Sequence, residues 1–455
     1  MAIKRAALGQ ESKSSPMKRH WHTLRYFFFC TLLAVLGPGD TYPAFARAEI
    51  TPHLSPHIWI RTWGVSPAHL TPFPDITVPL KGATLRQRIR IGLGGEKLRI
   101  FLYNDLDNIP IHVGAVSIGI AQIGSSIRHS SIRKITFGQS DSITIPPGSP
   151  ALSDPVDLTL ESFSEITLSL FFPYDTPAAS THYEKNGDAY LSPRGDFTAS
   201  EAMPVSKRLS LREFITGIDV LTDKKARVIV ALGDSITDNA GDTDHSWPGV
   251  LAKRLSQGST GYTSPDTSVI NAGIGGNHLL RDFDGWGFGQ NALARFGRDV
   301  LSVPGITHII VLEGINDIGD PGVTINGVTV QSASEADSAE DIIAGYKQLI
   351  ARAHANNIKI YGATMTPFSG SELIASKEVV VKGNYSPEKD VIRHAVNHWI
   401  LESHAFDGVV DFDAVIRDPS NPTAILSKYD SGDHLHPNDA GRVAMANAIN
   451  LLMLK

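Results

Sequence analysis

From about Ile58 to Ile218, apolar and polar residues alternate with a period of two. In "RQRIRIGL", Ile89, Ile91 and Leu93 share one face while Arg88 and Arg90 take the other. "LRIFLYND" continues the alternation, and "EITLSLFF" aligns Ile166, Leu168, Leu170 and Phe172. Breakers such as "GLGGE", "IPPGSP" and "FPYDTP" separate the runs, and no segment of helical period and useful length intervenes. Many short strands divided by turn signals predict an all-β sandwich or jelly roll. "GLGGE" (Gly92 to Glu96) lies between two such strands and is expected to form a hairpin turn.

After "DVLTDKKARV" (Asp219 to Val228) the texture changes. "RVIVAL", "TSVINA", "THIIVLE", "IKIYGAT" and "DGVVDF" are continuously apolar and rich in Val and Ile, as suits parallel strands buried on both faces. Between and after them lie the helix candidates "SWPGVLAKRLS", "GQNALARFGRDVLS", "SAEDIIAGYKQLIARAHANN", "SPEKDVIRHAVNHWILESH" and "DAGRVAMANAINLLML". Ser338 and Ser386 are placed as N-caps, with Asp341 set for a capping box and Pro387 at a first helical position. Alternating βα units predict a doubly wound, flavodoxin-like α/β sheet of five parallel strands, with ligands beyond the carboxyl ends of the strands.

Four polar, Gly-rich clusters fall at those ends: "GDSITD" (Gly233 to Asp238), "NAGIGGNHLL" (Asn271 to Leu280), "EGINDIG" (Glu313 to Gly319) and "DSGDHLHPND" (Asp430 to Asp439). Each alone is ordinary turn chemistry. Together they suggest an activated serine. Ser235 sits on a strand-to-helix turn and needs a base to become nucleophilic. His436 is the candidate, with Asp433 three residues before it to orient the ring and Pro437 restricting its backbone. An ester carbonyl attacked by Ser235 would develop charge on oxygen. The donors on offer are the Ser235 N–H, the N–H of a glycine in the second cluster and the Asn316 amide.

"GDSIT", "GIGGN", "GIND" and "DHLHP" resemble, in order, the four blocks of the GDSL/SGNH hydrolases, over roughly residues 225–455. The resemblance implies Ser235 as nucleophile, His436 as base and Asp433 as its orienting partner. It implies Ser235, Gly276 and Asn316 as the oxyanion donors, although a shift of one residue would put Gly275 in place of Gly276. His434 departs from the family, which more often has glycine there. Whole-chain features resemble secreted bacterial carbohydrate O-acetylesterases and arylesterases. A serine esterase acting on acyl, above all O-acetyl, esters of carbohydrate is therefore the expectation. A lipase or lysophospholipase with the same triad, a polysaccharide acyltransferase and a carbohydrate-binding accessory are its rivals. Asp317 is expected to hold the loop that carries the amide. Asp238 is expected as a turn residue and Trp247 as core, while Trp286 and Phe288 in "DGWGFG" and its flank are candidates for a lip over the substrate.

Composition narrows this reading. At ~100–200 residues per domain, 455 residues predict two folded parts, and 42% hydrophobic with 19% charged residues is ordinary for globular protein. A net charge of -6 offers no basic surface for nucleic acid. "MKRHWHTLR", the apolar "YFFFCTLLAVLG" and the small-residue "PAFARA" have the layout of a secretory signal, with an uncleaved anchor as the alternative. The expected division is a leader over 1–48, a β-sandwich part over 49–221 and a hydrolase part over 222–455. The expected residence is outside the cytoplasm, with no stable membrane insertion once the leader is removed. The single cysteine, Cys30, lies in the leader, so the mature chain would have neither disulfide nor thiolate. Seventeen scattered histidines include no H-E-x-x-H helix, and the expectation is no metal and no cofactor. The partner is expected to be a small-molecule or polysaccharide ester.

Overall fold

A computed structural model describes residues 57–455 except 69–78, 105–107, 178–180, 185–187, 224, 243, 258–263, 284–286 and 376–379. The expected leader lies outside the described residues. The N-terminal part is strand-rich, as its alternation predicts, and among the described residues builds two large antiparallel sheets and two two-stranded ones. In one, His57–Gly64 pairs with Ile215–Asp223, which pairs with Gly95–Tyr103. In the other, Ala83–Arg90 lies between Ala189–Arg194 and Glu165–Phe172, with Ala115–Ile120 beyond. Register sets Ile166 opposite Ile89 and Leu170 opposite Leu85, all buried in the core that also takes Leu98, Ile100 and Leu102 from the first sheet.

Two features depart from the alternation. Gly92–Glu96 is not a hairpin turn, because the strands it joins lie in different sheets. Its glycines serve close backbone approach: Gly92 N–H donates to the Thr62 carbonyl at 2.9 Å, and a Cβ on Gly94 would lie 2.2 Å from the Leu160 carbonyl oxygen. The polar face of Ala83–Arg90 is also partly covered. Arg86 is fully buried and donates to the carbonyls of Ser125 at 2.6 Å, Phe197 at 2.9 Å and Glu201 at 3.0 Å, and to that of Ser200. A guanidinium with that many donors ties a loop onto the sheet where apolar packing would otherwise be needed.

The second part is the expected parallel sheet: β1 (Arg227–Gly233), β2 (Thr267–Gly273), β3 (Ile306–Leu312), β4 (Lys359–Ala363) and β5 (Gly408–Val410), in the order β2-β1-β3-β4-β5. This is the flavodoxin-like order, and β1, buried from Val228 to Leu232, is its inner strand. The long helices are α1 (Trp247–Gln257), α2 (Ala339–Ala355), α3 (Pro387–Glu402) and α4 (Asp439–Ala448). Ser338 and Asp341 form the capping box of α2, and Ser386 caps α3 with Pro387 in its first turn. Among the described residues no helix is long and apolar enough to cross a membrane.

Residues Ser55–Lys455 form one compact unit. The antiparallel strand Ile215–Asp223 runs almost directly into β1, and Arg61 N–H donates to the Pro304 carbonyl at 2.9 Å across the two parts. Replacing Arg86 by Ala should cost at least about 3 kcal/mol, since a fully buried side chain is removed and four part-buried carbonyls lose their donor. Denaturant melts would measure this, and a loss under about 1 kcal/mol would show that water takes over those carbonyls.

Candidate active site

β1 ends at Gly233, where a Cβ would sit 2.2 Å from Thr237 Oγ1 and 2.7 Å from the Leu312 carbonyl. Only glycine allows the chain to turn that tightly against β3. Asp234 then caps a single helical turn, Ser235–Asp238, its Oδ1 accepting from Ile236 N–H at 2.8 Å. Ser235 is the first residue of that turn, so its N–H has no carbonyl within the turn to bond. The turn is anchored from behind at Thr237: Asn271 Nδ2 donates to its carbonyl at 2.8 Å and Trp247 Nε1 to its hydroxyl at 3.2 Å. Trp247 is fully buried and packs on Phe412, as expected of a core residue.

Ser235 Oγ lies 2.8 Å from His436 Nε2, and His436 Nδ1 lies 2.7 Å from Asp433 Oδ2. The other carboxylate oxygen of Asp433 accepts from the N–H groups of Leu435 and His436 at 2.9 and 2.8 Å. One carboxylate therefore fixes both the ring and the backbone that carries it. With the ring's proton on Nδ1 and donated to the Asp433 carboxylate, Nε2 is left to accept from the serine hydroxyl. Burial disfavours the imidazolium, but the Asp433 hydrogen bond and charge, with Asp234 behind them, outweigh it and raise the His436 pKa above its ordinary value. Burial works against the Asp433 carboxylate as well, yet its bonds to His436 hold it well below the usual carboxylate range. His434 stays outside the cleft, exposed, with φ +63° and its Nδ1 2.6 Å from Asp430 Oδ2. That left-handed backbone is where glycine is easiest, so the histidine at this position is held at a steric cost.

The other two clusters meet beside the serine turn. Asn316, on the turn Ile315–Gly319, donates its amide to the Asn277 carbonyl at 2.7 Å. Asp317 accepts from Leu279 and Leu280 N–H at 2.8 and 2.9 Å, so it ties the third cluster to the second, as expected of a structural carboxylate. Gly275 lines the cleft in front of Ser235, whereas Gly276 (φ +74°) backs onto Phe288, where a Cβ would come within 2.3 Å of the ring. Neither Gly276 nor Asn316 is part of the cleft lining. The cleft, of about 870 Å³, is walled by Tyr183, Ile274, Phe288, Pro437, Asn438 and Arg442 among others. Phe288 thus reaches the cleft, and Trp286 lies outside the described residues.

The residue that pattern reading missed is Arg295. It is fully buried and donates to Asn277 Oδ1 at 2.9 Å, to the carbonyls of Ala272 at 2.7 Å and Gly233 at 3.0 Å, and to Ser66 Oγ at 3.0 Å. Asp299 Oδ2 and Glu313 Oε1 lie 3.3 Å from it. The signal was present: Arg295 and Asp299 stand four apart on the same helical face as Ala292, Phe296 and Val300, where a cation needs an internal partner. Two buried acids were also missed. Burial pushes the pKa values of Asp234 and Glu313 up; the Asp234 charge adds to the rise at Glu313, and the Asp317 charge adds to both. Replacing Arg295 by Lys should destabilise the fold by at least about 3 kcal/mol, because an ammonium cannot serve three strand ends at once. Chemical denaturation tests this; a near-neutral change would mean that the strand ends hold their positions without it.

Residues 231–444 match the GDSL-like lipase/acylhydrolase family. Solved structures similar to this chain include a variant of an acetylxylan esterase from Geobacillus stearothermophilus (18% identity, 50% of this chain and 94% of that one, TM-score 0.35). An acetyl xylan esterase (20% identity, 49% and 96%, TM-score 0.33) and a GDSL-like lipase from Bacteroides thetaiotaomicron (16% identity, 51% and 89%, TM-score 0.34) are others. No curated protein matches the chain. The α/β part, residues 231–444, is a GDSL-like lipase/acylhydrolase domain, and the chain is a carboxylic ester hydrolase.

Proposed function

We propose that the protein is an exported serine esterase that removes acyl groups, chiefly O-acetyl, from carbohydrate. The observation that carries the proposal is the unbroken hydrogen-bonded line Ser235–His436–Asp433 opening onto the cleft. In this reading His436 Nε2 takes the hydroxyl proton as Ser235 Oγ bonds to the ester carbonyl carbon. The proton passes to the leaving alcohol oxygen as the old ester bond breaks, leaving an acyl-serine. Water attacks the acyl-serine with His436 again as base, releasing the acid and the serine hydroxyl. Asp433 keeps the ring in the tautomer this requires. The oxyanion would be held by the N–H groups of Ser235 and of Gly275, which line the cleft, and by the second Nδ2 hydrogen of Asn316, whose first goes to the Asn277 carbonyl, each donor worth ~3–4 kcal/mol in the transition state.

A carbohydrate substrate is supported by a cleft far larger than an acetyl group, with Tyr183, Asn438, Asp439 and Arg442 on its walls. The apolar patch of Ile236, Ile274 and Phe288 favours the second reading, a longer-chain lipolytic esterase. The sandwich or jelly-roll form of the N-terminal part belongs to the same proposal and is supported by two antiparallel sheets that share one core.

Hydrolysis of p-nitrophenyl esters from acetyl to long acyl separates these readings. Acetyl preference, reduced at least about 10⁴-fold in Ser235→Ala, is the expected result. Long-chain preference moves the substrate to lipids, and turnover untouched in Ser235→Ala would refute the site. The pH profile is a second test. His436 must be neutral to act as base, and its pKa is raised, so kcat/KM should fall as pH drops through an inflection above the ordinary histidine value of about 6.5. Asp433→Asn should shift that inflection down and lower kcat by about 10³–10⁴-fold. An inflection unmoved by the substitution would mean another group is titrating.

A further inference from the structure

The strand Thr181–Tyr183 belongs to the N-terminal part, pairing with Leu211–Glu213, yet His182 and Tyr183 line the cleft around Ser235. His182 is buried; one ring nitrogen lies 2.9 Å from the Ser66 carbonyl and the other 2.8 Å from Asp238 Oδ1. Asp238 ends the serine turn, and the same Oδ1 accepts from Gly241 N–H at 3.2 Å. Asp238 is therefore more than the turn residue expected of it. Burial disfavours the charged form of His182, but the charge and hydrogen bond of Asp238 outweigh it and raise the His182 pKa.

The segment held by this pair is strained. Asn239, Ala240 and Gly241 take φ values of +57°, +52° and +73° in succession. A left-handed alanine is costly and persists only where its surroundings fix it. The fixing contacts are visible: Gly241 lies so close to the N-terminal part's strand Thr181–Tyr183 that a Cβ would fall 2.2 Å from the Tyr183 carbonyl oxygen. Asn239 and Ala240 then face the cleft.

We propose that His182 is a positioning residue that sets substrate selectivity: by clamping Asp238 it locks the left-handed turn 239–241 onto strand 181–183, and strand and turn together form one wall of the cleft. The nucleophile does not depend on this clamp, because the serine turn is anchored separately through Thr237 to Asn271 and Trp247. The wall should therefore control binding of the large part of a substrate while leaving chemistry on a small ester intact. This inference rests on the Ser235 reading above.

The test compares p-nitrophenyl acetate with two enlarged esters, p-nitrophenyl octanoate and an acetylated xylo-oligosaccharide, in wild type, His182→Ala, His182→Gln and Gly241→Ala. In His182→Ala and Gly241→Ala, KM for the enlarged ester that wild type prefers should rise about tenfold or more, while kcat on p-nitrophenyl acetate stays within about twofold. His182→Gln, which keeps a donor toward Asp238, should recover part of that loss. A parallel fall on all three esters, or unchanged KM in folded variants, overturns the proposal. Gly241→Ala perturbs the wall from the turn side and keeps the His182 side chain, so misfolding of one variant does not decide the matter. Wild-type protein with no Ser235-dependent turnover would overturn the site reading and this inference together; turnover with an unchanged KM pattern would overturn this inference alone.

Discussion

A single buried guanidinium ties together the strand ends on which the cleft is built. Arg295 bonds the carbonyl that ends β1 just before Asp234 and Ser235, the carbonyl of Ala272 near the end of β2, and the side chain of Asn277, whose own carbonyl receives the Asn316 amide. It faces Glu313 at the end of β3 and reaches Ser66 in the N-terminal part. Parallel strands deliver their ends to one edge of a sheet, but they do not by themselves fix those ends to tenths of an ångström. A planar cation with five fixed donors does so, at the cost of needing compensating charge in a dry place.

That compensation shapes the charge around it. Asp299 keeps its carboxylate low because, against burial, Arg298 and Arg295 stand beside it. Asp234 and Glu313 fare differently: burial dominates, and neighbouring acids add to it, so both are driven toward the neutral form. The Asp234 charge favours the His436 imidazolium, as Asp433 does, but burial draws Asp234 itself toward neutrality.

The sequence shows some of this and hides the rest for physical reasons. The five parallel strands and the caps at Ser338 and Ser386 follow from periodicity and capping chemistry, which are local, while the grouping of Ser235, Asp433 and His436 follows from the strand-end clusters and from the resemblance they carry. Arg295 is hidden because a helical arginine usually faces water, and only its company of Ala292, Phe296 and Val300 says otherwise. Gly92–Glu96 misleads because glycines that permit close approach look the same in sequence as glycines that permit a tight turn. His182 is hidden more deeply. Its role depends on a strand from one part of the chain meeting a turn from the other, and no spacing within either segment encodes that meeting.

The N-terminal part therefore contributes to the cleft through Ala68, His182 and Tyr183, and to the scaffold through Ser66. The central claim is that Ser235 is activated by His436. The most direct measurement is mass spectrometry of the protein after treatment with a fluorophosphonate, which reacts with activated serines. The account predicts one adduct, on the peptide carrying Ser235, that disappears in His436→Ala. An unmodified Ser235, or labelling that persists without His436, would contradict it.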